Sequence, residues 1–96
     1  MTMEIHHKPE QDRFEAEVDG NLCLLEYTLR DRIISMNSVR VPPPVEGRGI
    51  AGRLTRTALD HARSQGWQVI PRCPYVAAWI KRHPEYQDLV GHRTPD

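Results

Sequence analysis

The sequence predicts a mixed α/β (α+β) fold: an antiparallel β-meander leading into a βαβ unit, with a second, C-terminal helix. Three observations predict it. Apolar and polar residues alternate through the first half of the chain. The period turns helical at Ile50. A short apolar run then follows the glycine that stops that helix. The 96 residues suit one domain over 1–96, with 91–96 read as a loose tail.

The first strand comes from residues 13–18. Phe14, Ala16 and Val18 fall on one face, Arg13, Glu15 and Glu17 on the other. Asp19-Gly20-Asn21 supplies the positive φ angles of a tight hairpin. Residues 22–29 return, with Cys23, Leu25, Tyr27 and Leu29 on one side, and Arg30-Asp31-Arg32 makes the next turn. Residues 33–41 form a third strand rich in β-branched side chains. Pro42-Pro43-Pro44 ends its pairing, because proline has no N–H for a ladder. From Ile50 the helix carries Ile50, Leu54, Ala58 and Ala62 on one face, flanked by Ala51 and Leu59. Arg53, Arg56, Asp60 and Arg63 point outward, and Arg56 stands four residues before Asp60 as an ion-pair partner. Gly66 stops the helix, and residues 67–70 read as a fourth strand, parallel to the third through a right-handed crossover. Pro74 opens a second helix to about Arg82. Pro84 ends it at His83, and residues 84–90 suit one more helical turn.

Composition excludes several function classes. Thirteen basic and thirteen acidic residues cancel, so no strong field gathers nucleic acid or a membrane surface. No apolar run reaches the roughly 20 residues of a membrane span. Residues 1–10 are polar and lack the apolar stretch of a secretory signal, and Cys23 and Cys73 read as free thiols. A cytoplasmic protein is the expectation. His6-His7, His61, His83 and His92 show no metal-ligand spacing with either cysteine, so no metal is expected.

The chemistry gathers at Gly47-Arg48-Gly49-Ile50-Ala51-Gly52, which opens the first helix. N–H groups in a helix's first turn lack internal partners and carry partial positive charge, and glycines admit close approach, so the segment suits a phosphate cradle. The alternative is a plain Gly-rich turn. The six residues match G-x-G-x-x-G, but no acidic residue follows at dinucleotide-fold spacing and the remaining chain is too short for that fold. A P-loop lacks its Gly-Lys-Ser/Thr.

Val41-Pro42-Pro43, then Glu46-Gly47-Arg48-Gly49-Ile50-Ala51, then Leu54 and Ala58-Leu59, resemble the acetyl-CoA-binding motif of the GNAT acetyltransferases. Val69-Ile70-Pro71-Arg72-Cys73-Pro74-Tyr75-Val76 and Arg82-His83-Pro84-Glu85-Tyr86 resemble segments of that superfamily's small single-domain members. The resemblance covers about residues 4–90. Two positions depart from it: the broad pattern has Gln or Arg where Glu46 stands, and the small branch commonly has His where Ser38 aligns.

The resemblance implies a GNAT-like fold and an N-acetyltransferase that moves acetyl from acetyl-CoA (coenzyme A) to a small-molecule or peptide amine. It implies a pyrophosphate held on the amides of residues 47–52, with Arg48 or Arg53 adding charge. It also implies a peptide-like pantetheine arm along the strand edge near Val39 and Val41. The second reading, motivated by Ser38 and the small size, is a non-catalytic acyl-CoA-binding or sensing module. Oligomeric state and acceptor identity are silent in the sequence.

Cys23, on an apolar strand face, reads as a small core residue. Cys73 stands at a helix start, where a thiolate is stabilised, and is the candidate acyl carrier. Its other reading is a wall residue while the amine attacks directly. Glu26 and Glu46 are both candidate general bases, and spacing singles out neither. Trp79 and Ile80 read as core, and Tyr75 as either acceptor-pocket lining or packing. His61 reads as solvated beside Asp60, and His83 as a helix cap.

Overall fold

The computed structural model describes residues 3–90. One sheet carries β1 (His6–Lys8), β2 (Arg13–Val18), β3 (Asn21–Arg30), β4 (Ile33–Arg40) and β5 (Gln68–Pro71) in that spatial order. The first four strands are antiparallel neighbours, and β5 pairs with β4 in parallel. Helix α1 (Ile50–Gln65) makes the crossover, and α2 (Pro74–Arg82) follows β5. The meander and βαβ unit expected from the period change are present. Short 3₁₀ turns span Pro9–Gln11, Pro43–Val45 and Pro84–Leu89, and the last is the expected extra helical turn. The tail expected at 91–96 lies outside the described residues.

The strand β1 is an addition to the expected set. Its three residues carry no alternation long enough to read, and pairing with β2, His7 opposite Phe14, makes it a strand. The returning strand sits one residue later than residues 67–70, because Trp67 N–H bonds back to Ala62 O in the cap of α1. At the β2–β3 hairpin, Asp19 and Gly20 have φ of 50° and 77°, as the Asp-Gly pair requires.

Both helices cover one face of the sheet. Phe14, Cys23, Leu25, Ile34, Met36 and Val69 from the strands pack with Leu54, Ala58, Leu59 and Ala62 from α1, and with Val76, Trp79 and Ile80 from α2. Burial of a side chain such as Leu54 contributes roughly 1.5–3 kcal/mol. The other face stays open, with Thr28, Arg30, Ile33, Asn37 and Gln68 exposed along it. Among the described residues, no helix is long and apolar enough to cross a membrane.

The expected Arg56–Asp60 ion pair is replaced by a bridge. Tyr86 donates its hydroxyl to Asp60 Oδ1 at 2.6 Å, and Arg56 Nη1 donates to that hydroxyl at 3.1 Å. The buried phenol inserts between the two charges and fastens the last 3₁₀ turn to α1. Burial, and then Asp60, push its pKa up. His61 is likewise half-buried rather than solvated. Its ring stands edge-on to His7, Phe14 and Trp67 at 4.6, 5.8 and 5.3 Å. The expected role of His83 holds: it is the C-cap residue of α2, with its ring stacked on Trp79 at 3.6 Å.

Candidate active site

The site begins with an irregularity in β4. Glu26 pairs with Ser38 but Tyr27 pairs with Met36, so Asn37 is an extra residue, a bulge. Its effect is visible in the side chains. Asn37 Nδ2 donates to Thr28 Oγ1 at 3.0 Å, and Ser38 Oγ donates to Glu26 Oε1 at 3.0 Å. Thr28 and Glu26 lie two apart on β3, hence on one face, so Asn37 and Ser38 both turn to the open face. Val39 is returned to the helix-covered face, opposite Leu25.

The parallel pair separates at the same level. Its last rung is Met36 opposite Pro71, and Cys73 N–H then bonds Met36 O at 2.9 Å. Beyond that bond β4 continues to Arg40 while the chain after β5 turns into α2. The backbone of β4 facing β5 therefore has no strand partner past Met36, among the described residues, and a wedge opens between the two strands.

The mouth of α1 faces this wedge. Gly49 is its N-cap residue at φ 76°, in the left-handed region, and no side chain caps the helix. The first N–H to find a helical acceptor is that of Arg53, on Gly49 O at 3.1 Å, which leaves the amides of Ile50, Ala51 and Gly52 without one. The first turn also contains no acidic residue. Gly52 is required for a second reason. A Cβ there would stand 3.3 Å from Trp79 Nε1 and 3.4 Å from Tyr75 Oη, so its absence lets α2 approach α1.

A cavity of about 420 Å³ lies at this junction. Of the residues singled out from the sequence, it brings together Val39, Val41, Glu46, Gly47, Gly49, Ile50, Ala51 and Gly52, with Tyr75 as a further wall. Three others sit elsewhere. Arg48 turns away and pairs with Asp19, Nη1 to Oδ2 at 2.6 Å. Arg53 lines a separate groove with Arg48, Glu17 and Met3. Cys73 is buried at 7% exposure and lines none of the cavities described. Its backbone, by contrast, is central, because it closes the last rung of the wedge and accepts the N–H of Ala77 as N-cap of α2. Cys23 is fully buried, and burial pushes its thiol pKa up. Among the described residues, no three His, Cys, Asp or Glu side chains gather as a metal site.

The structure also separates the two candidate bases. Glu46 lines the cavity beside the helix mouth, whereas Glu26 lies half-buried on the open face, held by Ser38 and 4.0 Å from Arg40. The bulge that sets Ser38 beside Glu26 was not legible, because an extra residue in a strand leaves apolar and polar residues still roughly alternating.

A meander, a crossover helix and a parallel pair splayed over an uncapped glycine mouth define an acyl-transferase class of fold. The chain belongs to the GCN5-related N-acetyl-transferase family, whose model matches residues 13–89. That membership makes acyl transfer its class of chemistry. The chain is 28% identical over 91 residues to Protein NATD1 of Gallus gallus, covering 91% of this chain and 82% of the relative. It is 28% identical over 89 residues to Protein NATD1 of Homo sapiens, covering 88% and 78%. Among solved structures, it superimposes on the solution NMR structure of a GCN5-like protein from Staphylococcus aureus with a TM-score of 0.73 and 21% identity. That match covers 95% of this chain and 90% of the other. A ribosomal-protein-alanine N-acetyltransferase from Brucella melitensis shares the fold at a TM-score of 0.51 and 17% identity, over 88% and 64% of the two chains.

Proposed function

We propose that the protein binds acetyl-CoA across the mouth of α1 and transfers its acetyl group to an amine. The observation that carries this reading is the set of free amides at Ile50, Ala51 and Gly52, facing a cavity whose opposite wall is the unpartnered edge of β4. A diphosphate supplies the acceptors those amides lack. The amide groups of a pantetheine arm match the open backbone of β4 near Val39 and Val41. Glu46 rims the cavity, so its carboxylate weakens diphosphate binding. Arg48 contributes little to offset it, being engaged by Asp19.

In the transfer, the amine nitrogen attacks the thioester carbonyl carbon, the carbon–sulfur bond breaks, and coenzyme A leaves. The proton lost by the nitrogen is matched by the one gained at sulfur. Glu26 is the carboxylate positioned for the amine side, since Glu46 lies on the coenzyme side. Ser38, where the family resemblance leads one to expect His, orients that carboxylate instead.

The direct route is favoured over a Cys73 carrier by the burial of that side chain away from the cavity. Titration calorimetry with coenzyme A, NAD and ATP tests the binding, with heat expected for coenzyme A alone. Mass spectrometry after incubation with acetyl-CoA is expected to find Cys73 unmodified, and acetyl on Cys73 would restore the covalent route. Tight binding with no thiol release across a broad library of small-molecule and peptide amines would leave a non-catalytic coenzyme-binding module.

A further inference from the structure

A second groove, of about 380 Å³, lies on the open face of the sheet. It is lined by Thr28, Arg30, Asp31, Ser35, Asn37 and Arg72, with Ile33 and Ile70 as its apolar floor. One end reaches the wedge: Asn37 is the bulge residue, and Arg72 directly precedes Cys73, whose N–H closes the last rung on Met36. The other end reaches the turn between β3 and β4. From Ile33 to Asn37 the strand runs about 13 Å, the length of a small molecule.

The groove holds two arginines that face no carboxylate, as do Arg53 and Arg82 elsewhere among the described residues. Arg13, Arg40, Arg48 and Arg63 each face a carboxylate. Among the described residues, neither Arg30 nor Arg72 has an ion pair or a side-chain hydrogen bond. Two guanidiniums and one carboxylate, Asp31, leave the groove with an excess of one positive charge. The hydroxyls of Thr28 and Ser35 and the amide of Asn37 add neutral hydrogen-bonding groups. Beyond the bulge, Glu26 lies on the same face, held by Ser38 and 4.0 Å from Arg40.

We propose that this groove is the acceptor site, and that the acceptor is a small amine carrying a carboxylate or a similar anionic group. Its anion lies against Arg30 and Arg72, and its amine points along Asn37 to the wedge, toward the Glu26 carboxylate. The assignment rests on the acetyl-transfer reading above, with the thioester entering the wedge from the helix side and the amine from the open side. Free guanidiniums in a groove select a planar anion over a neutral or cationic end group.

The test compares three amines of matched length: γ-aminobutyrate, γ-aminobutyramide and putrescine. Calorimetry with coenzyme A comes first, and thiol release from acetyl-CoA follows. The expected result is a kcat/KM for γ-aminobutyrate about tenfold above either of the others. Arg72→Gln and Arg30→Gln should each raise its KM about fivefold, leaving kcat and coenzyme affinity unchanged, with the preference shrinking in high salt. Both side chains are exposed, and unchanged melting temperatures confirm that the variants fold. Failure of coenzyme A to bind would sink the acetyl-transfer reading and this assignment with it. Coenzyme binding with no transfer to any of the three amines, with equal use of the three, or with a preference that survives both substitutions would overturn the acceptor assignment alone.

Discussion

The two ends of α1 are treated in opposite ways. At the C-terminal end most of the terminal carbonyls find partners. Gly66 at φ 72° returns its N–H to Ala62 O and Arg63 O, Trp67 N–H bonds Ala62 O, and Arg32 Nη2 donates to Gln65 O and Gly66 O. Arg63 then fixes the flank through Asp88 and Glu85 O. At the N-terminal end nothing comparable happens. Gly49 brings no side chain, the first turn has no acid, and the nearest arginine is engaged by Asp19. A side-chain cap is worth only a few tenths of a kcal/mol over glycine, and the left-handed φ of 76° at Gly49 disfavours one here. The contrast between a capped end and a bare one is what the proposed coenzyme site rests on.

The largest effect that tests this contrast is expected at Gly52. Gly52→Val places a branched side chain in the cavity and against Trp79 Nε1 and Tyr75 Oη. Coenzyme A affinity is expected to fall by about thirtyfold or more, roughly 2 kcal/mol, as read by calorimetry. Unchanged affinity would mean that the mouth of α1 is not the binding surface. At the opposite end, Gly66→Ala forces a Cβ to within 2.7 Å of Arg32 Nη2 at a backbone angle alanine resists. It is expected to cost about 1–2 kcal/mol in denaturant unfolding while leaving coenzyme affinity as it was. Loss of affinity there would show that the two ends are coupled.

Much of this architecture was legible because it rests on local rules. The Asp19-Gly20 hairpin, the stripe from Ile50 to Ala62, the Gly66 stop and the Pro74 start each follow from one residue's conformational preference or one period. Of the eight cavity residues singled out, Gly47, Gly49, Ile50, Ala51 and Gly52 follow from the same logic, since glycines before a helix announce free amides, whereas Val39, Val41 and Glu46 came from the family resemblance. What stayed hidden depends on distant partners. β1 exists because β2 offers it an edge, the Asn37 bulge is a matter of register, and Tyr86 enters the Arg56–Asp60 pair from 26 residues beyond Asp60. The direction of Arg48 belongs here too. Spacing put it beside the mouth, and only the hairpin's placement of Asp19 turns it away.

The same dependence on distant partners gives the smallest predicted effect, a pH dependence on the body of α1 remote from the mouth. His7 on β1 stacks on Phe14 at 4.2 Å, receives His61 edge-on, and its Nε2 lies 2.6 Å from Tyr27 Oη. Burial lowers its pKa, His61 lowers it further, and Glu10 partly opposes them. In the unfolded chain the imidazole takes its proton at the ordinary value of about 6.5, whereas in the fold it does so only at more acidic pH. Stability is therefore full above about 6.5 and declines as pH falls below it, because the unfolded chain gains the proton first. Asp88, whose pKa Arg63 lowers through a hydrogen bond, adds a decline only in the more acidic carboxylate range. A melting-temperature series through the imidazole range should slope downward toward acid, and His7→Phe should flatten that slope by keeping the stack on Phe14 without a titrating group. An unchanged slope in His7→Phe would place the proton uptake elsewhere. The cavity lining at the open end contributes no imidazole to titrate over that range.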